Sequence, residues 1–332
     1  MRAVVYSAVG ATPVVRDVPP PRCPADGVIV DVRATGVCRS DWHAWRGHDP
    51  VPLPHTPGHE FAGVVAAAGP DVRDFAVGDR VTSPFVQGCG QCSYCRAGDA
   101  QVCPAQRQPG FTDPGSFAEQ VVVHAADTNL VRLPAALDYV AAAALGCRYA
   151  TAYRALTAHA RVTAGETVAV FGCGGVGLSA VQIAVALGAR VVAIDESAPA
   201  RARAVALGAV EDDGEPVHVT LDAVGSAATA FAAVGRLRRR GRHVQVGLML
   251  GRNAAAPLPW DLVIARELRV FGSHGMAARD YPPMLEMVAD GRLNPAALLG
   301  EVIPLDEAPA ALTAMDGSPP PGITVVTLPE KW

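Results

Sequence analysis

Four cysteines lie close enough together in the chain to hold one metal ion. Cys89, Cys92, Cys95 and Cys103 fall within fifteen residues. Four thiolates on one short lobe can complete a tetrahedral shell around zinc, and a filled shell leaves no position for water or substrate. The spacing therefore predicts a structural zinc lobe over residues 89–103. Two disulfides or free thiols are the alternatives; a zinc-knuckle binding module is weakened because Arg96 is the only basic residue in the lobe.

A second set of metal-ligating side chains is scattered along the chain. Cys38 and Cys147 offer soft thiolates and His59 offers an imidazole, which gives zinc three protein ligands and leaves a fourth position open. A zinc ion with an open position is a Lewis acid. The alternative is that both cysteines are buried as small hydrophobic side chains and His59 caps the Pro57-Gly58 turn. Spacing alone leaves both interpretations open.

A glycine-rich turn lies between a predicted strand and a predicted helix. Its sequence is Gly172-Cys173-Gly174-Gly175-Val176-Gly177. Gly172 permits a tight turn, Gly174 lets the backbone approach a pyrophosphate, and Gly177 lets the helix pack close to its strand. The turn therefore predicts a dinucleotide site, with a purely structural turn as the alternative.

An acidic residue follows the glycine-rich turn at the distance a dinucleotide site requires. Asp195 lies 23 residues after Gly172, at the end of the next predicted strand. A carboxylate there can accept hydrogen bonds from both ribose hydroxyls and would repel a 2′-phosphate. The pattern favours NAD over NADP, although Arg201 and Arg203 follow nearby.

The composition indicates a folded protein of two domains in a reducing compartment. The chain has 332 residues, 50% hydrophobic and 18% charged, with a formal net charge of −4. That charge balance supplies no positive field for nucleic acid. The first residues lack a signal peptide's apolar run, and glycines interrupt the uncharged stretch 167–189, so we expect neither export nor a membrane span. Cysteines clustered as metal thiolates favour a cytoplasmic protein.

Short β-rich segments fill the chain up to about residue 130, and strands alternate with helices after about residue 151. In the first part, residues 28–34, 61–67 and 121–123 are strand-like, which predicts a barrel or sandwich with long loops. In the second part we predict strands at residues 167–171, 190–194, 217–224, 243–247 and 268–272. Such alternation predicts a mostly parallel, doubly wound sheet. The tail contains a helical stretch at 281–290 and a strand at 323–328.

The joint order of these motifs resembles that of the zinc-dependent alcohol dehydrogenases in the medium-chain dehydrogenase/reductase superfamily, over nearly the whole chain. The matching segments are Gly36-Val37-Cys38-Arg39-Ser40-Asp41-Trp42-His43, Gly58-His59-Glu60, the four-cysteine lobe, Gly146-Cys147, the glycine-rich turn and Asp222-Ala223-Val224-Gly225. The resemblance implies an α/β protein with three parts. These are a β-rich GroES-like catalytic domain over residues 1–148, a doubly wound parallel-sheet (Rossmann) NAD-binding domain over 149–276, and a return to the catalytic domain over 277–332.

The resemblance also implies two zinc ions per chain and a role for each residue near them. Cys38, His59 and Cys147 would hold a catalytic zinc ion, and the four-cysteine lobe would hold a structural one. Glu60 would lie beside the catalytic metal as a supporting or exchanging ligand. Asp41 would orient the imidazole of His59, although capping a helix is its alternative role.

The resemblance further assigns a proton relay and two contacts. Ser40 would hydrogen-bond the alcohol, and His43 would pass its proton to solvent through the nicotinamide ribose. Arg39 would pair with the pyrophosphate and Phe85 would line the substrate site. The plainer interpretations are a turn hydroxyl, a surface histidine and core packing for Ser40, His43 and Phe85. The histidines to which we assign no role are His48, His55, His124, His159, His218, His243 and His274.

The expected activity is interconversion of a primary or secondary alcohol and its aldehyde or ketone by hydride transfer with NAD(H). A biosynthetic reductase of a C=C or C=N bond on the same scaffold is one alternative, and a non-catalytic NAD-sensing or zinc-binding protein is another. The expected partner is a small molecule, with no nucleic acid and no membrane. By resemblance we also expect a homodimer or homotetramer, joined near residues 268–271.

The second half contains two further segments for which the sequence makes a prediction, residues 209–221 and 236–242. Residues 209–221 are too few for a strand, a crossover helix and the next strand. We therefore predict a loop in place of the helix, a reduced sheet edge and a more open adenine site. The arginine-rich segment 236–242 is predicted to be a solvated helix end and turn.

Overall fold

The structure, a computed structural model, describes residues 1–317 and 322–329, and the chain divides into two compact units. The first unit contains residues 1–147, 275–289 and 295 onward, and the second contains residues 148–274 and 290–294. The chain passes from the first unit to the second after residue 147 and returns after residue 274, each within two residues of the boundary expected from the sequence. Residues 290–294 differ, because they belong to the second unit and not to the first.

The strands of the described chain are short, apart from three of nine residues. In chain order they are β1 Arg2–Val5, β2 Val14–Asp17, β3 Val28–Gly36, β4 Glu60–Ala68, β5 Arg80–Thr82, β6 Gln120–Val123, β7 Val131–Arg132, β8 Thr167–Phe171, β9 Arg190–Ile194, β10 Val217–Asp222, β11 Leu237–Gln245, β12 Arg269–Gly272, β13 Leu299–Pro304 and β14 Ile323–Thr327.

The helices include two single turns of π-helix. The α-helices are α1 Arg39–Trp45, α2 Ser93–Ala97, α3 Ala126–Asn129, α4 Tyr139–Ala143, α5 Ala150–Arg154, α6 Gly175–Ala186, α7 Ala198–Ala206, α8 Ala227–Gly235, α9 Trp260–Ala265, α10 Tyr281–Ala289 and α11 Ala308–Thr313. The π-helical turns are Leu145–Tyr149 and Ala155–His159. None of the described helices is long and apolar enough to cross a membrane.

The first unit is built on a mostly antiparallel sheet. Its described strands follow the order β13-β14-β3-β4-β5-β7, and β6 also pairs with β3. The valines of β3 pack with Phe61 and Phe117 in a core whose apolar side chains are shielded from water. β14 pairs antiparallel with β3, so the tail strand completes this sheet. The predicted strands of this unit are confirmed.

The second unit contains a parallel sheet. Its described strands follow the order β12-β11-β10-β8-β9, and each neighbouring pair is parallel. The interior strand β8, between β10 and β9, is nearly continuously apolar and buried, as expected for a strand flanked on both sides in a parallel sheet. The prediction of a doubly wound, Rossmann-type unit beside a β-rich one is confirmed.

The edge of this sheet is reduced, as the sequence predicts. Residues 207–216, all within the described chain, form neither helix nor named strand. A single parallel bridge between Val192 and Val210 stands where a further strand would pair with β9. The shortened connection therefore ends the sheet at β9.

The arginine-rich segment is a strand from Leu237 onward, so its prediction as a helix end and turn was wrong except at Arg236, the C-cap of α8. α8 ends at Gly235, and residues 237–245 form β11. The pairing partners jump from Val217–Leu237 to Val219–Arg242, which places the exposed arginines in a bulge. The reason is that Leu237, His243 and Val244 are buried in the sheet, and these anchors outweigh the local charge.

Candidate metal centres and coenzyme site

Backbone N–H groups and glycines shape the four-cysteine lobe. Cys92 is the N-cap of α2, and its Sγ accepts the N–H of Cys95 at 3.4 Å. The N–H of Cys89 donates to Sγ of Cys103, also at 3.4 Å. Gly90 has a φ of 75°, a left-handed conformation that favours glycine at this turn.

The four sulfurs are spaced as ligands of one ion. They lie within 4.8 Å of one another, with Cys92 Sγ 3.7 Å from Cys103 Sγ and Cys89 Sγ 4.0 Å from Cys95 Sγ. Tetrahedral zinc with bonds of about 2.3 Å separates its sulfurs by about 3.8 Å. A disulfide needs about 2.05 Å, so none is formed here. Backbone N–H donors lower the pKa of Cys89 and Cys92, which favours the thiolates that zinc binds, whereas burial raises the pKa of Cys95 and Cys103.

The scattered ligands also meet. Ligand atoms of Cys38, His59, Glu60 and Cys147 lie within 4.8 Å of one another. Cys38 is the N-cap of α1, His59 immediately precedes β4, and Glu60 begins β4. Cys147 lies in the π-helical turn Leu145–Tyr149, a local distortion often found at functional sites.

Asp41 joins two of the ligand segments. Its Oδ2 accepts the backbone N–H of Cys38 at 3.0 Å, closing a capping box at the start of α1. Its Oδ1 accepts the backbone N–H of Gly58 at 2.9 Å and lies 3.0 Å from His59 Nδ1. Asp41 is completely buried, so these bonds are not weakened by water. The carboxylate both caps the helix and orients the imidazole.

The remaining nitrogen of His59 fits a metal ion. Because Nδ1 faces Asp41, Nε2 is the nitrogen left for a ligand, and it is buried without a hydrogen-bond partner among the described residues. Burial alone would lower the pKa of His59, but the charge and hydrogen bond of Asp41 raise it well above its ordinary value. The surroundings of His59 thus favour a positive charge beside the thiols of Cys38 and Cys147. A zinc ion would supply that charge and bind both thiols.

The neighbours of this centre include residues that the sequence did not reveal. The ring of Phe85 lies 6.0 Å from that of His59, and the ring of Phe111 lies 5.1 Å from it. The hydroxyl of the fully buried Tyr281 reaches the carbonyl oxygen of Gly146 at 3.4 Å. Phe111 and Tyr281 belong to distant segments without a motif, so nothing in the sequence marked them.

The proposed relay residues lie on α1. Ser40 Oγ is 3.8 Å from Cys38 Sγ. His43 is half-buried, and its Nδ1 lies 3.0 Å from Nδ1 of His48, a residue without an assigned role in the sequence. The guanidinium of Arg39 donates to the carbonyl of Met315 at 2.6 Å and stacks on Trp42. Pairing of Arg39 with a pyrophosphate stays a prediction.

The glycine-rich turn of the second unit has the cradle that a dinucleotide requires. Gly172 has a φ of 89°, and a Cβ on Gly177 would stand 1.7 Å from the carbonyl oxygen of Gly172. A Cβ on Gly174 would meet nothing within 4 Å, so space is open where α6 begins. Arg148, another residue missed in the sequence, packs so closely that a Cβ on Gly175 would lie 2.4 Å from its Cδ.

Asp195 is fixed against this turn. Its Oδ2 accepts the N–H of Cys173 at 2.6 Å and its Oδ1 accepts the N–H of Ser197 at 2.8 Å. Each carboxylate oxygen keeps a second lone pair for a ribose hydroxyl. The glycine-rich turn and Asp195 therefore fit a dinucleotide.

The fold and these sites define a metal-binding dehydrogenase. Residues 24–135 match the family described as the alcohol dehydrogenase GroES-like domain, and residues 175–290 match the zinc-binding dehydrogenase family. An alcohol dehydrogenase of Geobacillus stearothermophilus is 33% identical over 326 residues, covering 92% of this chain and 93% of the relative. A sorbitol dehydrogenase of Halalkalibacterium halodurans is 32% identical over 86% of this chain and 87% of its own.

Solved structures of dehydrogenases are also similar to this chain. The alcohol dehydrogenase TADH from Thermus sp. ATN1 is 31% identical, covers 99% of this chain and 100% of its own, and superposes with a TM-score of 0.91. A zinc-binding dehydrogenase from Sinorhizobium meliloti bound to NADP is 30% identical over 98% of this chain and 99% of its own, with a TM-score of 0.87. This chain belongs to the zinc-dependent alcohol dehydrogenase family of the medium-chain dehydrogenase/reductase superfamily.

Proposed function

We propose that the protein interconverts a primary or secondary alcohol and its aldehyde or ketone with NAD(H), using two zinc ions per chain. The observation that carries this proposal is the convergence of Cys38, His59 and Cys147, with His59 Nε2 buried and without a hydrogen-bond partner among the described residues. Three such ligands suit a zinc ion with an open position.

The two zinc ions would have different tasks. Cys38, His59 and Cys147 would hold the catalytic ion, with Glu60 beside it, and the four cysteines of the lobe would hold the structural one. When bound, the catalytic ion supplies a Lewis acid that lowers the pKa of the substrate hydroxyl, and NAD supplies the hydride acceptor.

The chain's own side chains handle the proton and the substrate. Ser40 accepts a hydrogen bond from the substrate hydroxyl, and His43 passes the released proton towards solvent. Burial, with His48 and Arg39 nearby, lowers the pKa of His43, so its imidazole is neutral at pH 7 and can accept a proton. Phe85 and Phe111 flank His59 and make this side of the site apolar.

The coenzyme contacts favour NAD. Asp195 holds a fixed carboxylate beside the glycine-rich turn, and that charge would repel the 2′-phosphate of NADP. The Sinorhizobium meliloti structure bound to NADP shows that a similar protein binds the phosphorylated form. Arg39 would add positive charge for the pyrophosphate.

We further propose that two copies of the chain pair through the edge strand β12. β12 ends the described sheet, Val270 on it is exposed, and Trp260 and Ile264 of the preceding α9 present 59% and 77% of their surfaces to solvent. Such an apolar edge is typical of an interface between copies. None of the eight cysteines, all within the described residues, forms a disulfide, which is consistent with work in the cytoplasm.

The proposal is tested with protein whose zinc content has been measured. A panel of alcohols and carbonyl compounds is assayed with NAD and with NADP. Turnover of simple alcohols with NAD supports the proposal. Silence on the alcohols with reduction of an unsaturated or iminium compound would instead indicate a C=C or C=N reductase, and silence on every compound would indicate a non-catalytic protein.

A further inference from the structure

The C-terminal end of α1 brings two histidines into direct contact. The N–H of His48 donates to the carbonyl of His43 at 2.9 Å, and the N–H of Gly47 donates to that of Ala44 at 3.0 Å. These are the two bonds of a Schellman motif, and Gly47 has the left-handed φ of 74° that the motif requires. The motif normally brings two apolar side chains together; here it brings two imidazoles together.

The two imidazoles share a hydrogen bond through specific atoms. His43 Nδ1 and His48 Nδ1 are 3.0 Å apart. The indole of Trp42 lies against both rings, with centroid distances of 5.0 Å and 5.2 Å. Trp42 is itself fixed, because its Nε1 donates to Asp316 at 2.7 Å. The contact is thus set by the helix end and by a third ring.

The contact determines where His43 can release a proton. A histidine relay takes up a proton on one ring nitrogen and gives one up from the other. Since Nδ1 of His43 faces Nδ1 of His48, the proton on that nitrogen has another imidazole as its acceptor. His43 is half-buried and His48 is exposed, so the pair leads from the protein to water.

We propose that His48 receives the proton that His43 releases and passes it to solvent, an inference that rests on the proposed alcohol oxidation. His43 accepts the substrate-derived proton on Nε2 and gives up its Nδ1 proton to Nδ1 of His48. His48 then loses its Nε2 proton to water or buffer. No oxidation state changes in these steps, and each proton that leaves one nitrogen is taken up by the next acceptor.

The charges around the pair are few. Arg39, Asp49 and Cys38 act on His43 in addition to His48. Arg46 and Asp316 form an ion pair, and Asp316 also accepts the hydrogen bond of Trp42 Nε1. Of these groups only Asp49 and Cys38 raise the pKa of His43, and burial, His48 and Arg39 outweigh them.

Two variants separate proton transfer from packing. His48→Phe keeps a ring against Trp42 but cannot carry a proton, and His48→Asn removes the ring as well. We expect both to lower kcat for alcohol oxidation about tenfold near pH 7. The loss should shrink at high pH, where hydroxide accepts the proton, and on adding imidazole. The control His124→Asn changes another histidine of the same unit and should leave kcat unchanged.

A double variant and a spectroscopic readout complete the test. If His48 acts only through His43, His43→Asn with His48→Phe should be no slower than His43→Asn alone. Histidine ¹⁵N NMR of substrate-free protein should show the pKa of His43 rising when His48 is removed, since His48 lowers it.

The outcomes are distinguishable. If the zinc-loaded parent oxidises no alcohol, the proposed function fails, and the His48 inference fails with it. If the parent is active and His48→Phe matches it at every pH and buffer concentration, only the His48 inference is overturned. A uniform loss in His48→Phe that imidazole does not restore would indicate packing alone and would also overturn it.

Discussion

The two candidate metal centres of the first unit are built in opposite ways. The lobe takes its four ligands from residues 89–103, and short N–H···S bonds inside that segment hold them. The other centre takes Cys38, His59 and Cys147 from segments far apart in the chain, and a buried carboxylate holds two of them. If the lobe holds the proposed structural ion and the dispersed cluster the proposed catalytic one, the comparison teaches that a closed site can be local, whereas an open one depends on the whole fold.

The largest effect is expected at the open centre. Cys38→Ser should lower kcat/KM by at least about 10³-fold, because the zinc ion loses a thiolate ligand and its Lewis acidity is no longer in place. Steady-state kinetics, zinc analysis and circular dichroism measure activity, metal and fold, and the fold should persist. Cys23→Ser, outside both clusters, is the control. Undiminished turnover in Cys38→Ser would refute the ligand assignment.

A substitution in the four-cysteine lobe, the closed centre, should lower the stability of the protein but not the activity of its folded molecules. Cys103 is fully buried in the lobe, and Cys103→Ser should cost about 4 kcal/mol of unfolding free energy as the structural zinc ion is lost. Denaturant titration measures this cost. The activity of the molecules that remain folded should stay near that of the parent. Equal stability with a specific loss of kcat would reverse the proposed division of tasks.

A smaller effect tests what holds the dispersed ligands. Asp41→Asn keeps the volume of the side chain but removes its charge, so it cannot stabilise the metal-bound imidazole in the same way. We expect zinc affinity at the open centre to fall about 10- to 100-fold, with no change at the lobe. Competition with a zinc chelator resolves the two sites. An equal change at both would show that Asp41 acts on the fold in general.

The smallest effect is expected at the coenzyme site. Asp195→Asn keeps an acceptor for the N–H of Cys173 but loses the charge that excludes a 2′-phosphate. The ratio of kcat/KM for NAD to that for NADP should fall about tenfold, equivalent to about 1.4 kcal/mol. Arg203→Gln on the following helix is the comparison variant. An unchanged ratio in Asp195→Asn would remove this residue as the determinant.

The same contrast explains how much the sequence revealed. The lobe, the glycine-rich turn and the parallel sheet depend on short spacing and on periodic apolar residues, and all three were predicted from the sequence. In the arginine segment the three arginines that follow Leu237 are exposed, as their charge suggested, but the strand was missed because local charge does not reveal that Leu237 is buried in the sheet. The sequence predicted the structure correctly where contacts between residues close together in the chain determine it.

Contacts between residues far apart in the chain could not be predicted from the spacing of motifs in the sequence. Phe111 and Tyr281 reach the open centre through folding alone. His48 had no assigned role because its significance depends on the Schellman geometry at Gly47, which sets the imidazole against His43. Asp41 was assigned by resemblance to orient His59, with helix capping as the alternative, and in the structure one carboxylate makes both contacts.

Anomalous diffraction at the zinc absorption edge, recorded from crystals of the protein as purified, tests the difference between the two centres most directly. The account predicts two peaks per chain, one surrounded by four sulfurs and one bound by Cys38, Cys147 and Nε2 of His59. A single peak confined to the lobe, or a second peak placed on other residues, would contradict it.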